Sequence, residues 1–201
     1  HYSIAMMKRI FDMAGALAGL LFILPFTPFI ALAIVMESGP PVFVRLARVS
    51  EGKIIKVWKF RTMVQGAHEQ KRNLSHLNER ADGPFFKIKN DPRLTRVGKF
   101  LRMLRLDEFP QFWNVLRGEL ALVGPRPHEP EEMFHYPPEF KRLYFAKAGL
   151  TGLSQVMGAS GLPFRKELEY DAEYLKEYSL WFDVKILVKT VLIFFTDPTG
   201  V

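Results

Sequence analysis

Asp107 and Glu108 stand side by side in the stretch Arg102-Met103-Leu104-Arg105-Leu106-Asp107-Glu108-Phe109-Pro110. A proline just after the pair suits the first turn of a helix. A helix N-terminus carries partial positive charge, and Arg102 and Arg105 are close in sequence, so both carboxylates are expected to be ionised. Ionised carboxylates can ligate Mg²⁺ or attack phosphorus as nucleophiles. The same two residues also read as an Asp N-cap followed by a first-turn Glu, a purely structural arrangement. Taken alone, the residues leave both readings open. Other chemistries are poorly served. With no cysteine there is no disulfide, thiolate metal site or thiol nucleophile. The histidines, at 1, 68, 76, 128 and 135, show no metal-ligand spacing. Neither a Walker A loop nor a Rossmann glycine fingerprint is present.

The elements that must position this pair begin with an apolar arm. Met13 to Met36 carries no charge, and Thr27 is almost its only polar residue. As one straight helix it would span about 36 Å, against a hydrocarbon core of roughly 30 Å. A secretory signal fits poorly, because the run is long and lacks a small-residue cleavage site. Pro25 and Pro28 fall inside it, and each disfavours helix in the residue before it, so a break is expected near Leu24–Pro28. Lys8 and Arg9 flank one side, Arg45 and Arg48 the other. If positive charge marks the cytoplasmic face, both ends lie there, which a re-entrant helix hairpin satisfies and a straight span does not. A buried core helix pair and a kinked single span are the competing readings. Gly15 and Gly19 form a GxxxG pair that could let helices approach closely.

Beyond the arm, Pro41–Arg45 and Ile54–Phe60 are β-prone runs around the turn Ser50-Glu51-Gly52-Lys53, a predicted hairpin. Arg96 to Leu106 alternates Arg96, Lys99, Arg102 and Arg105 with Val97, Phe100, Leu101 and Leu104. That spacing predicts an amphipathic helix with a basic face. Phe109–Leu120 is a second predicted amphipathic helix, and Tyr174–Phe195 a third helix, for packing or for an interface. The 201 residues hold 28 Lys and Arg against 21 Asp and Glu, a net charge of +7. A basic chain with 18 Phe suits nucleic acid, an anionic membrane or a phosphorylated substrate. The Phe residues sit in apolar runs rather than in a basic-aromatic patch, so no nucleic-acid partner is expected. A basic nucleic-acid-binding module and a membrane-bound scaffold with an inert Asp-Glu pair remain the alternatives from other classes.

Residues 107–127, DEFPQFWNVLRGELALVGPRP, resemble the signature of the bacterial sugar transferases, the monotopic phosphoglycosyl transferases. The likeness extends through Lys59-Phe60-Arg61-Thr62-Met63, FKIKNDPRLTRVGKFLR (86–102), GLTGLSQV (149–156) and EYSLWFDVKILVKTV (177–191). Thr27-Pro28 lies where that family has its helix-breaking polar–Pro pair. The resemblance implies an α+β, mainly helical fold. Residues 1–40 would be a re-entrant membrane anchor with its break at Pro25, Thr27 and Pro28. Residues 41–201 would be a catalytic domain with interfacial helices around the active site.

The implied activity moves a phosphosugar from a nucleotide sugar, expected to be a UDP-sugar, to polyprenol phosphate (undecaprenyl phosphate). It would start a surface polysaccharide or glycoconjugate at the cytoplasmic face of the bacterial inner membrane. Asp107 would be the nucleophile, giving a phosphosugar-enzyme intermediate. Glu108 would assist Mg²⁺ binding or proton handling, with Mg²⁺ as cofactor. Lys59, Arg61, Arg96 and Arg126 would be phosphate ligands. Membrane lipid is an implied partner, and a homo-oligomer is compatible with the pattern. Two departures stand out. Lys147-Ala148-Gly149 replaces the Arg-Pro-Gly common in the family, and no Gly-Arg pair follows Gln155-Val156. The start at His1-Tyr2 suggests a cut from a longer chain, since larger family members carry additional N-terminal helices and a regulatory domain.

Overall fold

The computed structural model describes residues 2–67, 69–71, 73–80, 82–88, 90–158 and 161–196. His1 and His68, named above, lie outside them, as does the pair Ala159-Ser160 that follows Gln155-Val156 in the sequence. Two helices, α1 (Tyr2–Ile23) and α2 (Thr27–Ser38), lead into strands β1 (Phe43–Ser50) and β2 (Lys53–Phe60). A long, mostly irregular stretch reaches α3 (Arg96–Met103), a 3₁₀ helix (Leu106–Gln111), α4 (Phe112–Leu116) and β3 (Ala121–Val123). Then follow α5 (Pro130–Met133), β4 (Gly149–Thr151), α6 (Leu153–Met157), α7 (Phe164–Lys176) and α8 (Leu180–Thr196). The mainly helical α+β class is as expected.

The break in the arm falls at Leu24–Phe26, around Pro25, with Pro28 in the first turn of α2, where a missing N–H costs nothing. Thr27 Oγ1 donates to Ile23 O at 3.0 Å across it. The helix axis turns by 60° at this point. The arms therefore make an open V rather than a tight hairpin. Among the described residues, no single helix is long and apolar enough to cross a membrane.

Both ends of the V are fastened to one body. Near the start of α1, Lys8 Nζ donates to Val123 O at 3.1 Å and pairs with Asp183 at 2.9 Å. Arg9 donates to Val115 O and Leu116 O, both at 2.6 Å, at the end of α4, where Val115 O also accepts from Gly118 N at 2.9 Å. Asp12 accepts the Leu122 N–H at 3.0 Å. At the far end of α2, Glu37 accepts from Arg96 N at 2.7 Å and Val97 N at 2.8 Å, capping the orphan donors of α3. Between these fastenings the arm is apolar and much of it is uncovered. Phe29 is 73% exposed and Met36 78%, whereas Ala16 and Ile34 are buried. The two glycines of the GxxxG pair meet the body and not another membrane helix. A Cβ on Gly19 would come within 2.6 Å of the Phe112 ring, and one on Gly15 would strike Leu122. Gly19 thus lets α1 approach α4 closely, and Gly15 lets it approach β3.

The hairpin forms as predicted, with Glu51 (φ 51°) and Gly52 (φ 72°) supplying the two left-handed residues that a tight turn needs. Its first strand continues to Ser50, beyond the expected Arg45. Asn114 holds β2 in place, accepting from Trp58 N at 3.0 Å and donating to Lys56 O at 2.9 Å. Thr95 caps α3, its Oγ1 accepting from Gly98 N at 2.8 Å. The helix predicted over Phe109–Leu120 is instead the 3₁₀ turn plus the short α4, ended by left-handed Gly118 (φ 79°). The predicted Tyr174–Phe195 helix divides at Glu177–Ser179, where Ser179 Oγ accepts the Phe182 N–H at 3.1 Å. The parallel pairing of β3 with β4, each three residues long, has no counterpart in the expectations. The main core gathers Ala16, Val57, Val115, Leu120, Val123 and Ile186 around this pair.

Candidate active site

Helix α3 ends at Leu104, and Arg105 adopts the left-handed conformation at φ 52°. A bulky residue rarely sits there without compensation, and such strain gathers at functional sites. The reversal carries Leu106 into the 3₁₀ turn, which sets Asp107 and Glu108 on the wall of a cavity of about 1390 Å³. Asp107 is only 7% exposed, whereas the Glu108 side chain keeps 43% of its surface open. Lys59, reaching over from β2, donates to Glu108 Oε1 at 2.5 Å.

The two carboxylates are driven in opposite directions. Burial pushes Asp107 up to about 6, against the attraction of Lys59 and with repulsion from Glu108 adding to it. Burial acts on Glu108 too, but the charge and hydrogen bond of Lys59 outweigh it, with Arg126 and Arg48 helping, and the group lies below its ordinary value. The expectation that local cations hold both carboxylates fully ionised is met at Glu108. At Asp107 burial outweighs the cations and raises the group to about 6, which still leaves the carboxylate largely ionised at neutral pH.

Arg126 lines the same cavity. Its backbone N–H donates to Asp171 Oδ2 at 3.0 Å, and its guanidinium stands 3.7 Å from Glu167. Behind it lies a buried polar network: His128 Nε2 meets Glu167 Oε1 at 2.7 Å, His128 Nδ1 meets the Tyr136 hydroxyl, and Ser154 Oγ donates to Asp171 Oδ1 at 2.7 Å. Burial raises Asp171 to about 6, partly opposed by the Ser154 bond and the charge of His128. The sequence reading missed this network. His128 lies next to the Gly-Pro-Arg-Pro block, and Glu167 and Asp171 share one face of α7, which is the signal that could have found it.

Of the predicted phosphate ligands, the fold gathers Lys59 and Arg126 about the carboxylate pair. Arg61 touches the cavity wall, but it is 5% exposed and committed elsewhere. It donates to Ser38 O and Pro40 O at 3.1 Å, to Ser38 Oγ at 2.9 Å and to Gly39 O. Arg96 is exposed at the start of α3 and does not line the cavity. Arg102 and Arg105, noted above only as sequence neighbours, line it instead. The lining also includes an apolar set, among it Gly19, Phe22, Phe112, Leu187 and Val191.

Among the described residues, no group of three or more His, Asp and Glu could hold a metal ion. Mg²⁺ commonly takes one or two carboxylates and completes its shell with substrate phosphate oxygens and water. The donor set here, two adjacent carboxylates open to a cavity with Asp107 raised in part by its neighbour's charge, fits that mode.

Residues 3–197 match the family described as bacterial sugar transferase. The chain is 37% identical over 193 residues to a UDP-galactose-lipid carrier transferase of Erwinia amylovora, covering 94% of this chain and 40% of that protein. It is 39% identical over 195 residues to a UDP-glucose:undecaprenyl-phosphate glucose-1-phosphate transferase of Escherichia coli (strain K12), covering 92% and 39%. A third relative, exopolysaccharide production protein ExoY of Rhizobium meliloti (strain 1021), is 35% identical over 190 residues, covering 92% of this chain and 84% of ExoY. The chain thus spans about two fifths of the length of the first two relatives and most of the third.

Proposed function

This chain belongs to the bacterial sugar transferase family, and from that premise we propose that it transfers a sugar 1-phosphate from a UDP-sugar to undecaprenyl phosphate. The single observation that carries the proposal is the cavity. Its lining holds a buried carboxylate beside a lysine-held one, several cations and a set of apolar side chains. A nucleotide sugar and a lipid phosphate each find a matching wall there.

In the first step the Asp107 carboxylate attacks the phosphorus that bears the sugar. A P–O bond forms to Asp107, the bond to the bridging oxygen breaks, and uridine monophosphate leaves with that electron pair. In the second step an oxygen of undecaprenyl phosphate attacks the same phosphorus and Asp107 departs as carboxylate, giving undecaprenyl diphosphosugar. Two successive displacements let two unlike acceptors use one site. Lys59 holds Glu108 ionised and adds positive charge near Asp107, while Arg126 and Arg102 offset the phosphate charge. Asp107 and Glu108 would hold Mg²⁺, which when bound polarises phosphoryl oxygens and shields their charge. Asp107 is the nucleophile of choice because a buried, poorly solvated carboxylate is the more reactive of the pair once ionised. A panel of UDP-sugars with undecaprenyl phosphate and Mg²⁺ tests the reading. Uridine monophosphate should be released continuously from at least one donor when the lipid phosphate is present, and only to a single equivalent without it.

The bent arm seats this site at a membrane from one side. From Met13 to Ile23 α1 is about 16 Å long and α2 about 18 Å, so neither crosses a hydrocarbon core of roughly 30 Å. Both outer ends are bonded to the same body, through Lys8 and Arg9 at one end and Glu37 and Arg61 at the other. In this reading the V dips into one leaflet and returns, and the basic flanks Lys8, Arg9, Arg45 and Arg48 favour the cytoplasmic face for the catalytic body. Single cysteines at Met6 and Lys53 should both react with an impermeant thiol reagent added from the cytoplasmic side of inverted vesicles. Reaction of the two from opposite sides would make the arm a true span.

A further inference from the structure

The Gly-Pro-Arg-Pro block restrains the backbone of Arg126 before any side chain acts on it. Pro125 and Pro127 restrict the chain on both sides, and Pro125 O accepts the Gly149 N–H at 2.8 Å. From α7, Asp171 accepts the Arg126 N–H at 3.0 Å, and Ser154 of α6 holds the other oxygen of that carboxylate. One turn earlier on α7, Glu167 Oε2 comes to 3.7 Å from the Arg126 guanidinium. The same helix thus reaches Arg126 at its backbone and at its head, while 37% of the arginine side chain stays open. Arg126 lines the active-site cavity, and its charge helps to hold Glu108 ionised.

Behind Glu167 the polar groups form a directed chain. Burial pushes the Tyr136 hydroxyl well above its usual range, and the charges of Asp171 and Glu167 add to this, so it remains a donor. Burial works against the charge of Glu167 as well. There the His128 hydrogen bond and the charges of Arg126, His128 and Arg80 outweigh it, and the carboxylate lies below its ordinary value. An ionised carboxylate only accepts, so the His128 Nε2–H points at Glu167 Oε1, 2.7 Å away, and in the neutral ring Nδ1 accepts from Tyr136. Phe85 lies against the His128 ring, their centroids 5.0 Å apart. One atom of this chain is left over. Glu167 Oε2 is buried and accepts no hydrogen bond among the described residues. A network kept for stability alone is expected to satisfy its members, because an unpaired buried oxygen is costly. Here the unpaired oxygen is the one that faces the guanidinium.

We propose that Glu167, oriented by His128 and Tyr136, is the positioning residue of Arg126, steering its guanidinium by charge without consuming its N–H groups. The assignment rests on the transfer reaction proposed above, in which Arg126 offsets phosphate charge. Arg61 shows the contrary case, its donors spent on the carbonyls of Ser38, Gly39 and Pro40. A cation already placed when the substrate arrives needs no reorganisation as charge develops on the phosphate.

Glu167→Gln keeps the size and an oxygen for the His128 N–H but removes the charge. It should lower kcat/KM for the UDP-sugar by about 10²-fold. Arg126→Met should lower it by about 10³-fold. Because Glu167 acts through Arg126, adding Glu167→Gln to Arg126→Met should cost nothing further, an outcome that a role in packing alone would not produce. Tyr136→Phe deletes one hydroxyl and keeps the ring against Phe164. It should cost about fivefold by itself and nothing in the Arg126→Met background, and it reads the same coupling should the glutamine variant not fold. Heteronuclear NMR of the arginine side chains, on the full chain in detergent micelles, gives a readout without substrate. The Arg126 Nε–H signal, identified by its loss in Arg126→Lys, should shift in Glu167→Gln and stay in place in Glu169→Gln. Wild-type kcat/KM in a folded Glu167→Gln, a full additional loss in the double variant, or an Arg126 signal unmoved by Glu167→Gln would overturn the assignment. Failure of the wild type to turn over any UDP-sugar would overturn the transfer reading alone, and the NMR comparison would still decide the positioning.

Discussion

Asp107→Asn is expected to lower turnover by about 10⁴-fold or more and at the same time to make the protein harder to unfold. Loss of rate follows because the amide cannot become an acyl phosphate. The gain in stability follows from the direction in which the fold pushes this group. Burial raises Asp107 from its ordinary 3.8 to about 6, so the folded state favours the neutral form. For a raised carboxylate the fold is most stable below pH 4 in this respect. It loses that contribution as pH climbs through 6, and above that the full cost of holding the buried charge is present. The gap corresponds to about 3 kcal/mol. Metal-free unfolding at pH 8 should therefore place the Asn variant above wild type in Tm, with the advantage shrinking towards pH 4. A variant equally or less stable at pH 8 would show that the carboxylate is not held against its charge.

Arg61→Met is expected to cost about 3 kcal/mol of folding stability and to loosen the arm from the body. In the folded fraction, the KM for the nucleotide sugar should stay within about twofold of wild type. Arg61 donates to three consecutive backbone carbonyls, those of Ser38, Gly39 and Pro40, as well as to the Ser38 hydroxyl. A methionine of similar length would take this donor from the half-buried carbonyls of Ser38 and Gly39, while Pro40 O would keep only Gln65 Nε2, at 2.6 Å. Urea unfolding and flotation with liposomes read the first effect, and saturation kinetics the second. Unaltered unfolding together with a large rise in KM would return Arg61 to the phosphate ligands implied by its motif. Arg61→Lys should restore part of the stability, because one ammonium can serve some of the carbonyls but not all of them.

Local signals in the sequence read through well. The prolines put the arm's break where it occurs, Glu51-Gly52 marked the hairpin turn, and the Asp-Glu pair beside Pro110 lies on a cavity wall. What was not legible depends on partners distant in sequence. Gly15 and Gly19 have a spacing shared by helix dimers and by any helix lying flat on a body, and only the positions of Leu122 and Phe112 decide between them. The β3–β4 pair is too short to show an alternating pattern, and it is defined by carbonyl and N–H groups rather than side chains. Arginines are the hardest to assign. Arg61 and Arg126 sit in motifs of similar appearance, yet one is spent on the backbone at the end of α2 and the other faces the carboxylates. Likewise, Asp107's raised pKa reflects burial by elements that its neighbours in sequence do not reveal.

The covalent step is the centre of the account, and intact-protein mass measurement after mixing with a UDP-sugar alone reaches it most directly. With Mg²⁺ present and no lipid phosphate, wild type should gain the mass of one phosphosugar and release one equivalent of uridine monophosphate. Proteolysis should place the added mass on the peptide containing Asp107, undecaprenyl phosphate should discharge it, and Asp107→Asn should gain nothing. Strictly ternary kinetics with no mass gain on any carboxylate would contradict the scheme, leaving direct attack by the lipid phosphate and Asp107 only as a metal ligand.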